Sequence, residues 1–219
     1  MATGTGRPRA SGESLTGRGT REDILAASAQ LFSELGYAAT STHMIARAAG
    51  IRQATMYHHF AGKHDILLQL LLGTLRPSVA AAEWLDNRPE PAATRLWALC
   101  VSDATLLLGG RHNLGALYLL PELHDARLAQ FHEVRTELER RYTSLIDACG
   151  CVDAEGWTGL VIGIVESVII RRRRAPGALT VADAPVIATA ALRVLRLSED
   201  AIATAESDGP ALLAALPPG

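Results

Sequence analysis

The sequence predicts an all-α protein, with a small N-terminal helical domain followed by a larger helical domain. Ala and Leu are abundant among the 219 residues and aromatic residues make up only 5%, a composition that favours helices over strands. Apolar residues recur at helical spacing in one segment after another, and the sequence has neither the alternation typical of strands nor an internal repeat. The hydrophobic share of 48% is enough for a substantial core.

The first predicted helix begins near Thr20 and ends at Gly36. Thr20 can serve as the N-cap, and the acidic Glu22 and Asp23 in the first turn suit the helix dipole. Its apolar face consists of Ile24, Leu25, Ser28, Leu31, Phe32 and Leu35. Residues 1–19 are rich in Gly, Ser, Thr and Arg, so we expect them to form a disordered tail.

Two short helices are predicted next, over residues 42–49 and 53–60. Ser41 can cap the first of them. Gly50 supplies the turn between the two helices, because glycine adopts a left-handed backbone without steric cost. The dipeptide at 61–62, Ala-Gly, ends the second helix.

Helices are also predicted along the rest of the chain. A long one runs from Lys63 to about Leu85 and is expected to bend or break near Pro77. The segments after it are about 91–108, 114–120, 128–149, 154–174 and 185–197. The helical pattern fades beyond them, so residues 199–219 are predicted to be a C-terminal tail.

The helix over 53–60 has a polar outer surface. At 100° per residue, Met56 and Phe60 share its inner face, whereas the outer positions hold Gln53, Ala54, Thr55, Tyr57, His58 and His59. Such side chains can contact base edges and phosphates. Ala46 and Gly50 allow the preceding helix to approach closely, so the pair indicates a helix-turn-helix, whose second helix enters the major groove. The alternative is a pair of small helices with a solvated face.

The charge distribution supports a nucleic-acid partner for the N-terminal domain alone. The whole chain has a net charge of −2, but its first 65 residues carry seven Lys or Arg and five acidic residues, which suggests a local anionic partner. Lys63, the one lysine of the sequence, could grip a phosphate at the start of its helix. Arg7, Arg9 and Arg18 could reach a minor groove, or could belong to an inert tail.

Residues 36–67 closely resemble the N-terminal region of TetR-family transcriptional regulators, and with residues 20–32 the resemblance covers about 48 residues. Matching positions are Gly36, Tyr37, Thr40, Ile45, Ala46, Ala49, Gly50, Thr55, Tyr57, His59, Phe60 and Lys63. The resemblance implies an all-helical homodimer, a three-helix DNA-binding head and a variable helical ligand domain. Three positions depart from the family pattern: Arg52 replaces a capping serine, Ala54 a glycine and Met44 an acidic residue.

The resemblance also implies which residues bind double-stranded operator DNA. The expected contacts are Thr42, Arg52, Gln53, Thr55, Tyr57, His58, His59 and Lys63, with His43 as a further candidate. Two copies of the third helix are expected to enter successive major grooves, about 34–36 Å apart.

The rest of the chain has no catalytic signature, so we do not expect an enzyme or a cofactor. His112, His124 and His132 lack the spacing of metal ligands. The three cysteines, Cys100, Cys149 and Cys151, form no disulfide or zinc pattern, which favours reduced thiols and a cytoplasmic location. No apolar signal segment is found, and the longest apolar run, 159–165, is too short to span a membrane, so no membrane contact is expected.

The resemblance implies a cavity for a small, mostly apolar ligand, and polar and aromatic residues within apolar faces are the candidates for its lining. The candidates are Trp84, Trp97, Asp103, Asn113, Tyr118, His132, Trp157 and Glu166. For each of them, ordinary core or boundary packing is the alternative.

Small residues at four-residue spacing predict where another helix can approach. Gly159, Gly163 and Ser167 share one face of the helix over 154–174. The resemblance places a homodimer interface on the last two long helices, where Ile164, Val168, Ile187, Val194 and Leu195 are the candidates for apolar burial. We interpret the arginines at 171–174 as a solvated helix end, where cations suit the dipole, in preference to a nucleic-acid patch.

The sequence therefore predicts a dimeric repressor that a small effector releases from its operator. Its domains are predicted as a tail (1–19), a helix-turn-helix DNA-binding domain (20–65), a ligand-binding and dimerisation domain (66–198) and a second tail (199–219). The alternative is a DNA-binding regulator with a filled core, controlled by a protein partner. An enzyme that kept a DNA-binding head is a more distant alternative, since it would need an acid–base or metal site.

Overall fold

A computed structural model describes residues 14–217 of the chain. Within this range the protein forms nine α-helices, a few short 3-10 helices and no β-strand, which confirms the predicted fold class. The chain divides into two compact units, Met1–Leu70 and Leu71–Gly219, which we call the head and the body. The predicted boundary, after residue 65, lies slightly before this division.

The head contains α1 (Thr20–Leu35), α2 (Thr42–Ala48), α3 (Gln53–His59) and the start of α4 (Lys63–Asp86). Each helix is amphipathic and buries at least one apolar side chain in a small shared core. The core includes Ile24, Phe32, Ile45, Met56, Phe60 and Ile66, none of them more than 4% exposed.

The N-terminus of α1 differs from the prediction. Gly19 occupies the N-cap position without a side-chain cap, and Thr20 is already helical. Asp23 is fully buried, and its carboxylate accepts hydrogen bonds of 2.9 Å from the Ser14 hydroxyl and 2.8 Å from the Thr16 hydroxyl. The end of the predicted tail therefore packs on the first turn of α1. Arg7 and Arg9 lie outside the described residues.

The segment from the start of α2 to the turn before α3 has the cap and the glycine turn that the sequence predicts. The Ser41 hydroxyl accepts a 3.2 Å hydrogen bond from the Met44 backbone N–H, which confirms the predicted cap. Gly50 has φ of 66°, in the left-handed region that glycine tolerates best. Arg52 is the N-cap of α3 and makes no side-chain capping bond.

The body is built around α5 (Ala92–Leu108), a helix that is apolar on nearly all sides and therefore buried. It packs against α6 (Ala129–Ala148), α7 (Ala154–Arg174), α8 (Ala184–Val194) and α9 (Glu199–Ala214). Four short 3-10 helices connect these elements: Leu114–Leu119, Pro121–His124, Ala126–Leu128 and Val181–Asp183.

The segment assigned to a C-terminal tail contains α9. Ile202, Ala205, Gly209 and Leu212 are buried along one face of this helix. A Cβ atom on Gly209 would lie only 2.3 Å from the Trp97 ring, so the helix approaches α5 as closely as a glycine permits. The apolar stripe of α9 is interrupted by acidic residues, a glycine and a proline, so its helical periodicity is weak in the sequence.

The helix α4 is not interrupted at Pro77, which lies inside it. It is long and apolar enough, by length and composition, to cross a membrane, although the longest uninterrupted apolar run of the sequence is shorter. Half of its most apolar stretch is buried inside the protein, as in the core helices of many globular proteins, so it is weak evidence for a membrane span.

Candidate nucleic-acid interface

The polar residues predicted on α3 form one outward surface of the head. Met56 is fully buried, so the helix is anchored by that side and presents the others to solvent. Tyr57 is 50% exposed, and His58 and His59 are exposed as well. Gln53 and Thr55 are half-buried on the same helix. This arrangement matches the face that the helical wheel predicts.

Three of these side chains are linked to each other and bridge two helices. The Gln53 side-chain amide donates a 3.0 Å hydrogen bond to the Thr42 hydroxyl at the start of α2. The hydroxyl oxygens of Thr42 and Tyr57 lie 3.2 Å apart. We call these residues the Thr42–Gln53–Tyr57 cluster. Because the cluster fixes its own side chains, less conformational entropy is lost when it contacts a partner.

A positively charged groove lies beside the cluster. It has a volume of about 460 Å³ and its lining includes the exposed His43, Arg47 and Arg52. Arg47 was not among the predicted contacts, although its position four residues after His43 places both on one face of α2. Two arginines here could pair with phosphates, for which the planar guanidinium is well suited.

Lys63 has a structural role besides its predicted contact with phosphate. Its ammonium group donates hydrogen bonds of 2.7 Å to the Tyr37 carbonyl and 3.4 Å to the Ala38 carbonyl. The same nitrogen lies 4.2 Å from the centre of the Tyr37 ring. Lys63 therefore fastens the loop after α1 to the start of α4, and its predicted contact with phosphate has to be compatible with these bonds.

We expect Lys63→Met to destabilise the head by about 1–2 kcal/mol, because two backbone carbonyls lose a charged donor. The measurement is urea unfolding of the whole chain, followed by circular dichroism. Arg47→Met is the matched control, since it also removes one cation from the head but at an exposed side chain. Equal stability of the two variants would contradict the structural role of Lys63.

In the body, the structure brings together three of the eight predicted ligand residues. Asp103, Tyr118 and Glu166 line one internal cavity of about 20 Å³. Arg135 and Tyr142, both on α6, line it too, and neither was among the predicted ligand residues, because Tyr142 fits the apolar face of its helix.

The other five predicted ligand residues do not line this cavity. Trp97 faces α8, where its indole N–H donates a 3.1 Å hydrogen bond to the Thr189 hydroxyl. Because Trp97 precedes Asp103 by six residues, the two side chains lie on different sides of α5. The remaining four contact nearby groups: Trp84 stacks with Arg88, Asn113 donates to the Ile169 carbonyl, His132 bonds the Leu123 carbonyl, and Trp157 donates to the Val152 carbonyl.

The predicted dimer residues also separate into two groups. Gly159, Gly163 and Ser167 lie on the exposed face of α7. Val168 and Leu195 are buried within the protomer, so they cannot form a surface for a partner. Val168 is nine residues from Gly159, which places it on the opposite side of the helix. The remaining candidates, half-buried, are Ile164, Ile187 and Val194.

Two further apolar residues, Leu160 and Ile170, are exposed on α7, and neither was predicted for the interface. On α8, Val186 is 70% exposed.

Among residues 14–217, no group of three His, Cys, Asp or Glu side chains is placed to hold a metal ion.

A helix-turn-helix head joined to an all-helical body defines a class of helical, DNA-binding transcription regulators. Residues 24–70 match the family described as "Bacterial regulatory proteins, tetR family". The crystal structure of Mycobacterium smegmatis AmtR is 42% identical, covers 94% of this chain and 98% of its own, and superposes with a TM-score of 0.77. The chain therefore belongs to the TetR family, whose regulators are DNA-binding proteins and not enzymes.

Two curated relatives are similar over a shorter stretch. The fatty acid metabolism regulator protein of Bacillus subtilis is 29% identical over 57% of this chain and 62% of its own length. The transcriptional repressor KstR2 of Rhodococcus jostii is 29% identical over 59% of this chain and 65% of its own. The chain thus spans slightly less than two thirds of each of these relatives.

Proposed function

We propose that this protein is a dimeric transcriptional repressor in the cytoplasm, which binds operator DNA through α2 and α3 and is released from it by a small ligand in the body. The observation that carries the proposal is the Thr42–Gln53–Tyr57 cluster on the exposed surface of the helix-turn-helix. Gln53 offers a bidentate partner for adenine, while Tyr57 can donate to a phosphate. The groove beside them, with Arg47 and Arg52, supplies the cations that phosphates need.

Repression and ligand control are supported by the named relatives. One is a repressor and another a regulator of fatty acid metabolism, so a repressor that senses a metabolite suits this chain. For release, the ligand must bind the two conformations of the dimer unequally, since only a difference in affinity can shift the equilibrium between them.

The experiment that tests DNA binding is selection of duplexes from a random pool by the purified full chain, at two salt concentrations. We expect enrichment of one sequence with two-fold symmetry, because a symmetric dimer places identical helices on both half-sites. Recovery of no preferred duplex at either salt concentration would overturn the proposed function.

The dimer is tested by placing a charge on the exposed face of α7. Gly163→Glu is expected to convert the protein to a monomer, because a carboxylate cannot be buried between two helices without a partner. The protomer itself should stay folded, since a Cβ atom on Gly163 meets no atom within 4 Å. Sedimentation velocity measures the mass, and thermal unfolding measures the stability.

Ser144→Glu, at an exposed position of α6, is the control for added charge. It should leave the dimer intact. If Gly163→Glu remains a dimer with unchanged dissociation constant, the interface does not lie on this face of α7.

The small volume of the internal cavity favours the second candidate function, a regulator with a filled core that responds to a protein partner. A cavity of about 20 Å³ has room for roughly one water molecule. Clefts that open to the surface of the body are larger, about 390 Å³ beside Phe131 and about 530 Å³ beside Trp97. Binding of a small ligand to the body, or its absence, separates the two candidates.

A further inference from the structure

The internal cavity of the body is small, polar and carries an incompletely bonded carboxylate. Asp103, on α5, is only 6% exposed. Its Oδ2 atom accepts a 2.7 Å hydrogen bond from the Tyr142 hydroxyl. Its Oδ1 atom is buried and has no hydrogen-bond partner among residues 14–217. Buried polar atoms without a partner are rare and costly, so this oxygen is a place where a ligand's donor would be stabilised.

The charges around this oxygen favour a cation. Arg135 is the one cationic side chain among the described residues that line the cavity, and its guanidinium already pairs with Glu166 and, at 2.9 Å, with Glu139. Asp103 thus has no cation of its own. An anionic ligand would have to displace carboxylates from Arg135, whereas a cationic ligand would neutralise an unpaired buried charge.

An apolar cleft of about 390 Å³ adjoins the cavity. Tyr118, Arg135 and Glu166 line both spaces, so the Arg135–Glu166 pair and the Tyr118 ring form the wall between them. The Tyr118 hydroxyl is held 2.6 Å from that of Thr74. The remaining lining of the cleft is apolar at Leu119, Leu123, Phe131, Ile169 and Ile170, and is completed by Gly163 and Ser167 on the α7 face that the proposed dimer would cover.

From this arrangement we infer that the effector is a protonated amine with an apolar tail. The ammonium head donates to Oδ1 of Asp103 in the internal cavity, which is large enough for a group the size of water. The tail occupies the apolar cleft, and the Arg135–Glu166 pair shifts to let the head pass. The inference rests on the proposed control by a small ligand and names the chemical class of that ligand.

The test compares three probes that share one tail: octylamine, octanol and octanoate. Each is titrated into the full-length dimer without DNA, and affinity is measured by calorimetry, with thermal stabilisation as a second readout. We expect octylamine to bind about tenfold to a hundredfold more tightly than octanol, as a charged hydrogen bond at a buried site provides. Octanoate should bind more weakly than octanol, because the cavity repels a second anion.

The Asp103→Asn variant should lose the preference for octylamine over octanol, while keeping the affinity for octanol. Asp208→Asn, an exposed position of α9, is the matched control and should keep the preference. Should Asp103→Asn fail to fold, Leu119→Lys provides a second variant, because Leu119 is 50% exposed and lines the cleft. Its ammonium should lower octylamine affinity several-fold and raise octanoate affinity.

Equal affinity for the three probes, tighter binding of octanoate, or an amine preference that survives Asp103→Asn would each overturn the inference. Since no DNA is present, these outcomes are independent of operator binding. A protein that prefers octylamine but ignores DNA would retain this site and lose the proposed function.

Discussion

Replacing Gln53 and Tyr57 together with Ala should lower the affinity for the selected operator by at least about 100-fold. Each subunit loses a base contact and a phosphate contact, and one good base contact is worth about 1–3 kcal/mol. Tyr57 is exposed and Gln53 half-buried, and both bond the Thr42 side chain rather than the backbone, so the helices should remain folded. Fluorescence anisotropy with the labelled operator gives the affinity, and circular dichroism checks the helix content.

The control for this prediction is Gln30→Ala, which removes an exposed glutamine from α1 of the same head. Its amide bonds only the neighbouring Glu34, at 3.0 Å among the described residues. We expect this variant to bind the operator like the original protein. If the double variant of α3 also retained full affinity, the Thr42–Gln53–Tyr57 cluster would not be a DNA-contacting surface.

Asp103 should make the stability of the body depend on pH in a direction opposite to that of a salt-bridged carboxylate. Burial raises the pKa of this carboxyl to about 6, although the hydrogen bond from the Tyr142 hydroxyl lowers it in part. Between about pH 4 and pH 6 the folded protein therefore holds a proton that the unfolded chain releases. Stability falls as pH rises through this window, and the loss is complete above it.

The expected size of this effect is about 3 kcal/mol, because the carboxyl pKa rises by about two units on folding. We predict that Asp103→Asn, which stays neutral, gains stability relative to the original protein as pH increases from 4 to 7.5. Urea unfolding at several pH values measures the difference. Asp208→Asn should show no such trend, and a decreasing difference for Asp103→Asn would mean that the carboxylate is stabilised when charged.

The head was predictable because its elements depend on local sequence. Ser41 caps α2 within three residues, Gly50 makes the turn, and Met56 and Phe60 anchor α3 at helical spacing. The interaction of Lys63 with the Tyr37 carbonyl was not predictable, since it joins residues 26 positions apart. In the sequence, a cation near a helix-turn-helix suggests phosphate binding, because its contact with a distant loop is visible only in the structure.

The body was less predictable because its sites depend on which helices meet. The face of α5 that carries Asp103 is separated from the face of Trp97 only by rotation about the helix, so both appeared as candidates for one cavity. Val168 and Leu195 appeared suitable for a partner subunit, but they fill the protomer's own core. In α9, the apolar stripe is interrupted by charged and helix-breaking residues, and its burial against Trp97 becomes apparent only in three dimensions.

The central claim is that two copies of α3 enter successive major grooves of one operator. Probing the selected duplex with dimethyl sulfate, which methylates guanine N7 in the major groove, tests it most directly. Protection should appear in two blocks whose centres are about one helical turn, or 10–10.5 base pairs, apart, and should vanish with the Gln53 and Tyr57 double variant. A single protected block, or protection that the double variant leaves unchanged, would contradict the claim.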